Sequence, residues 1–125
     1  MISIDEMQDM LGRLMDELPD VFFRALNGGV NLLPDTLRSP HAKNDDYFIL
    51  GEYVTDSMMG RYINIYYGSF RQLFHDAAAG ELEAELRKTL RHELRHHMEA
   101  LAGDNALEIE DLRALQAYLR RYEDD

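Results

Sequence analysis

Apolar residues at Met7, Met10, Leu11, Leu14, Met15 and Leu18 recur at steps of three and four, the spacing of one helical face. A helix is expected from Ser3 to Leu18, with Ser3 and Glu6 placed to form a capping box. Methionines on such a face serve as gap-fillers in a core. Pro19 interrupts the pattern, and Asp20 to Leu26 adds a short second helix. Asn27-Gly28-Gly29 should stop it, because both residue types tolerate the left-handed region.

Val30 to Leu33 reads as a short strand, and Pro34 to Asp46, with two prolines, as a loop. Tyr47 to Val54 reads as a strand, with Gly51 as a bulge or a point of close approach. Thr55 to Gly60 is a turn. Arg61 to Tyr67 then alternates, with Tyr62, Asn64 and Tyr66 on one face and Ile63, Ile65 and Tyr67 on the other, the pattern of a strand. Gly68-Ser69 should end it, and Phe70 to Ala77 forms a short helix. Glu81 to Ala102 lacks Gly and Pro throughout and predicts a long helix, with Gly103 just beyond its end. Asn105 can cap a last helix, Ala106 to Arg121, with Glu108 three residues on. Helices, then two or three strands, then helices make an α+β fold with one small sheet, a single domain over residues 1–125.

Charge narrows the partners. Thirteen Lys and Arg face 24 Asp and Glu, a net charge of -11. So acidic a chain repels a phosphate backbone, and no nucleic-acid partner is expected. Arg87, Lys88, Arg91 and Arg95 cluster, but acidic residues flank them, and they read as a solvated helix face. No apolar run approaches the ~18 residues of a membrane span, and the opening Met1-Ile2-Ser3-Ile4-Asp5-Glu6 is acidic where a signal peptide is basic. There is no cysteine. A soluble cytoplasmic protein is expected.

The chemistry lies in the long helix. His92-Glu93-Leu94-Arg95-His96 is an H-E-x-x-H motif. Residues four apart share a helix face, so two imidazoles can converge on one Zn2+ at ~2.0–2.1 Å. Glu93 stands about 100° around the helix and meets a metal-bound water instead of the metal. Zinc lowers the pKa of that water to roughly 7, and a carboxylate can take its proton as it attacks a carbonyl. On a helical wheel Leu82, Leu86, Leu90, Leu94, Met98, Ala100 and Leu101 form an apolar arc, with Glu93 inside it and the two histidines at its edge. A carboxylate on a core-facing stripe is costly unless it has a partner.

A catalytic zinc usually takes three protein ligands. Helical side chains lean toward the N-terminus, so the metal should sit near the level of residues 93 to 95; Glu99 shares the histidines' face but lies about 6–9 Å beyond that level, so a bond to His96 suits it better. Asp104 follows the Gly103 turn directly, and Glu108, Glu110 and Asp111 stand on the returning helix. His97 lies on the apolar arc and reads as a packed histidine able to bond the sheet, whereas His41 and His75 read as surface residues. Tyr62, Tyr66 and Tyr67 read as strand packing, with one of them able to donate to an oxyanion.

Over about residues 47 to 104 the sequence resembles the small bacterial zincin-like metallopeptidases, or minimal zincins. The resemblance rests on Ile49-Leu50-Gly51-Glu52-Tyr53, on Arg61-Tyr62-Ile63-Asn64-Ile65-Tyr66-Tyr67-Gly68, and on Leu86-Arg87-Lys88-Thr89-Leu90-Arg91-His92-Glu93-Leu94-Arg95-His96-His97. Met1-Ile2-Ser3-Ile4-Asp5-Glu6-Met7 and Leu26-Asn27-Gly28-Gly29-Val30 are similar to one branch of metallopeptidase-family proteins. The resemblance implies a minimal zincin-like fold, a short sheet packed with the metal helix. It also implies His92 and His96 as zinc ligands and Glu93 as general base. Better-known members continue as H-E-x-x-H-x-x-G-x-x-D. Here Glu99 stands at the glycine and Ala102 at the aspartate; sliding the turn by four residues brings its glycine to Gly103, and the adjoining Asp104, in a comparable place, is then the third ligand the resemblance implies.

The expected function is a zinc-dependent metallopeptidase acting on a peptide or protein. The Arg61–Tyr67 strand, if it lies at the sheet edge, would pair with extended substrate. The alternatives are a catalytically inactive interaction module on the same fold, favoured by Glu99 in place of the turn glycine, and hydrolysis of a non-peptide substrate.

Overall fold

The computed structural model describes residues 1–40 and 47–122; the part of the expected loop at 41–46, His41 included, lies outside them. Helix α1 (Ile4–Asp16) opens on the expected capping box, Ser3 Oγ accepting from the Glu6 amide at 3.1 Å and the Glu6 carboxylate from the Ser3 amide at 3.0 Å. A 3-10 turn, Asp20–Phe23, replaces the longer second helix. Arg24 is already extended and Ala25 adopts a left-handed φ of 61°, so the helical path ends before Leu26.

Strands β1 (Gly29–Leu33), β4 (Gly51–Asp56) and β5 (Gly60–Tyr66) form a mixed sheet in the order β1-β5-β4, with β1 parallel and β4 antiparallel to β5. Two-residue strands β2 (Leu37–Arg38) and β3 (Phe48–Ile49) make a separate antiparallel pair. The predicted strand 47–54 is therefore split. Its break at Leu50 is a change of partner, because the Leu50 carbonyl still accepts the Tyr66 amide at 2.9 Å. Strand β5 is central, so the condition on which Arg61–Tyr67 would pair with substrate, a place at the sheet edge, is not met. Both of its sides are taken by neighbouring strands, and the open edges belong to β1 and β4.

Helix α2 (Tyr67–Phe74) starts at once, with Gly68 and Ser69 inside it rather than ahead of it. Those two residues are selected by packing. The Gly68 amide bonds the Asp35 carbonyl at 3.0 Å, and a Cβ there would lie 2.8 Å from the Asp35 backbone. Ser69 Oγ accepts the Leu37 amide at 2.9 Å.

Helix α3 (Ala79–Gly103) runs through Gly103, and Asn105, not Gly103, takes the left-handed position after it, at φ 59°. The Ala106 amide bonds the Leu101 carbonyl at 2.8 Å and the Asn105 amide the Ala102 carbonyl at 3.1 Å, a Schellman closure. Asn105 thus closes α3 and does not cap α4 (Ile109–Leu119), which begins on Glu108 and leads into a 3-10 turn, Arg120–Tyr122.

The predicted apolar arc is the centre of the molecule. Leu82, Leu86, Leu90, Leu94, Met98 and Leu101 of α3 join Ile63 and Ile65 of β5, Met7, Leu11 and Leu14 of α1, and Phe22, Phe70 and Leu119 in one buried core. Each such side chain contributes about 1.5–3 kcal/mol. The basic residues of α3 are not all solvated as expected. Arg91 is buried, with its guanidinium 3.3 Å from the Tyr118 carbonyl, and Arg87 makes a two-pronged ion pair with Glu17. They tie α3 to the C-terminal helix and to α1. Among the described residues no helix is long and apolar enough to cross a membrane.

Candidate functional site

Helix α3 presents His92 and His96 outward and turns Glu93 inward. Both histidines are more open to solvent than Glu93, which is only 7% exposed. The Nε2 atoms of His92 and His96 lie 3.2 Å apart, and the rings meet edge-on at 86°. Two metal–nitrogen bonds of ~2.05 Å opening at a tetrahedral angle separate their nitrogens by ~3.3 Å. The pair therefore has the spacing of two ligands on one tetrahedral ion, and imidazole is a donor that suits zinc.

Glu93 is held by the neighbouring strand. The Leu50–Tyr66 bond sets the alternation of β4, so Glu52 and Val54 direct their backbone groups to β5 while Gly51, Tyr53 and Thr55 direct theirs to the open edge. From that edge the Tyr53 amide donates to the Glu93 carboxylate. Burial pushes the Glu93 pKa above the ordinary glutamate value and the negative charge of Glu52 adds to this, while His96 and the Tyr53 amide oppose it.

Strand and helix are locked together by His97, which is fully buried as its place on the arc implied. Its Nε2 lies 2.7 Å from the Arg24 carbonyl and its Nδ1 2.7 Å from the Tyr53 hydroxyl. A carbonyl only accepts, so Nε2 carries the proton and Nδ1 accepts from the tyrosine. Burial lowers the His97 pKa, consistent with a neutral ring. Gly51 permits the same contact: a Cβ there would lie 2.9 Å from the Thr89 methyl group of α3.

The structure does not bring the expected third ligand to the histidines. Because α3 continues unbroken through Gly103, Asp104 follows His96 by eight residues, ~12 Å along the axis. Its carboxylate is engaged by Arg61 instead. Glu99 stays on the histidines' face, with Oε2 3.7 Å from His96 Nδ1 and Oε1 accepting from Gln116 at 3.0 Å, so it addresses the outer nitrogen of the ring. Glu108, Glu110 and Asp111 are exposed around the start of α4. Among the described residues no third His, Cys, Asp or Glu completes a ligand group. Two of the three tyrosines considered as oxyanion donors are committed elsewhere. Tyr66 donates to Glu52, and Tyr67 to the Ile2 carbonyl at 2.6 Å. Burial and the bond to Glu52 push the Tyr66 pKa up to about 12.

Two clefts meet at Glu93. One, of about 430 Å³, is walled by Tyr47, Phe48, Ile49 and Leu50 and reaches Lys88, Thr89 and His92. The other, of about 590 Å³, is lined by Glu52, Tyr53, His96, Glu99 and Ala100. Glu52 is the site residue the sequence did not single out. Its local signal is an ordinary strand glutamate, and only the pairing of β4 brings it to the cleft that Glu93 and His96 also line.

No protein-family model and no curated protein matches the chain. Among solved structures it is similar to a conserved hypothetical protein from Thermo thermophilus, with 35% identity and a TM-score of 0.67 over 82% of this chain and 99% of that one.

Proposed function

The chain belongs to the family of that conserved hypothetical protein, and on this footing we propose that it is a zinc-dependent hydrolase of peptide bonds. The observation that carries the proposal is the 3.2 Å approach of the His92 and His96 Nε2 atoms beside a buried carboxylate. These two histidines would hold the ion. Bound zinc would supply a water of lowered pKa and polarise the substrate carbonyl.

The chain's own groups do the rest. Glu93 is the general base. Burial raises its affinity for a proton above that of an exposed glutamate, so it accepts one more readily at neutral pH. The Tyr53 amide fixes its orientation, and the Tyr53–His97–Arg24 chain of hydrogen bonds fixes Tyr53 in turn. An extended peptide would pair along the outer edge of β4, whose Gly51 and Thr55 backbone groups face away from the sheet. That edge leads past Glu93.

Zinc content and cleavage test this reading separately. Protein purified without chelator should carry about one zinc per chain. His96→Ala should lose it. Glu93→Gln should keep the metal and lose all cleavage of a peptide library. A wild-type protein that binds zinc yet cleaves no member of the library would defeat the proposal.

Two observations favour a second reading, an interaction module on the same fold. Helix α3 passes through Glu99 without a break, and Asp104 is spent on Arg61. The cleavage experiment decides between the two.

A further inference from the structure

The two clefts that share Glu93 differ in chemistry. On the His92 side the wall is Tyr47, Phe48, Ile49 and Leu50, and the lysine there, Lys88, has its ammonium 3.5 Å from Glu85. This is a place for a large apolar side chain, with a volume typical of ligand pockets. On the His96 side the cleft is lined by the carboxylates of Glu52, Glu93 and Glu99. Glu52 is anchored there by the Tyr66 hydroxyl and Glu99 by Gln116, so both negative charges are held in place before a ligand arrives. Among the described residues no Lys or Arg lines this second cleft. A net charge of -11 adds a long-range pull on cations.

We infer that the cleft recognises peptides in which a Lys or Arg side chain sits next to a large apolar one, the cation between Glu52 and Glu99 and the apolar group against Phe48, Ile49 and Leu50. The direction of travel follows the packing of β4 on α3. Gly51 meets Thr89 and Tyr53 meets His97, so β4 advances along the helix in the same sense. A peptide on its outer edge passes from one cleft to the other within a few residues, with Glu93 at the junction. The inference rests on the hydrolase reading for which bond is cut, but not for which peptide is held.

Binding to the Glu93→Gln protein tests it without cleavage, using fluorescein-labelled peptides read by anisotropy. Peptides centred on Lys-Leu and Leu-Lys should bind ~10-fold more tightly in one order or both than Asp-Leu and Leu-Asp controls. A Lys-Gly peptide should lose most of that gain. In the Glu52→Gln/Glu99→Gln background the preference for lysine should fall to about twofold. The Glu110→Gln/Asp111→Asn background removes the same charge from the α4 surface and should leave the preference intact. Equal binding of lysine and aspartate peptides overturns the inference, as does an equal loss in both double variants. Wild-type cleavage of the same peptides separates the two proposals. Selective binding without cleavage sinks only the hydrolase, and cleavage indifferent to charge sinks only this specificity.

Discussion

The Tyr53 hydroxyl and His97 Nδ1 lie 2.7 Å apart and join the edge strand β4 to the helix that carries the histidine pair. One side chain comes from the strand that positions Glu93, the other from the residue following His96. The bond therefore sets the distance between the candidate base and the strand edge.

Tyr53→Phe leaves His97 Nδ1 buried without its donor. The cost is about 1–3 kcal/mol, seen as a lower urea midpoint at unchanged slope. A midpoint equal to that of the wild type would show that the bond does not hold strand to helix.

Gly51→Ala forces a Cβ to within 2.9 Å of the Thr89 methyl group. Strand β4 must move from α3, at about 1–3 kcal/mol. Thr89→Ser removes that methyl group, so the double variant should recover part of the loss. Strict additivity of the two substitutions in a double-mutant cycle would place the strain elsewhere.

Zinc titration should separate the acidic residues around the histidines. Asp104→Asn leaves affinity within about twofold, because Asp104 is ~12 Å further along the helix and engaged by Arg61. Glu99→Gln should weaken it by ~10-fold through loss of the charge beside His96 Nδ1. The opposite ranking would restore Asp104 as a ligand.

Acid should loosen the contact between α1 and α3. The Arg87 guanidinium holds Glu17 below the ordinary glutamate pKa. The unfolded chain therefore binds the proton more tightly, and stability from this pair rises with pH. It is complete above the unfolded glutamate pKa and lost as the pH falls through the lower folded value. The pair is partly exposed, so its contribution stays under about 1 kcal/mol. Glu17→Gln should reduce the stability difference between about pH 6 and pH 3, measured by thermal melts. An unchanged difference would assign the acid sensitivity to other carboxylates.

Much of this fold was legible in one dimension. The capping box at Ser3 and Glu6, the arc of α3 and the alternation of β5 are local patterns, and each is stabilised by interactions that depend on spacing along the chain. The same wheel that buried Leu86 and Leu90 also placed Glu93 inward and His92 outward. What failed was punctuation. Gly68 and Ser69 resemble a strand end but were chosen for close packing under Asp35 and Leu37. Gly103 resembles a helix stop, yet Asn105 performs that role.

By itself the sequence determined a histidine pair one turn apart with a carboxylate between, because an α-helix converts a spacing of four into a shared face. Only the tertiary structure decided what surrounds that pair. Strand β5 became central and β4 the open edge, Glu52 came to line the same cleft as Glu93 and His96, and Asp104 was carried to the far end of α3. Strand order and helix length are set by packing between distant segments, and no local spacing encodes them.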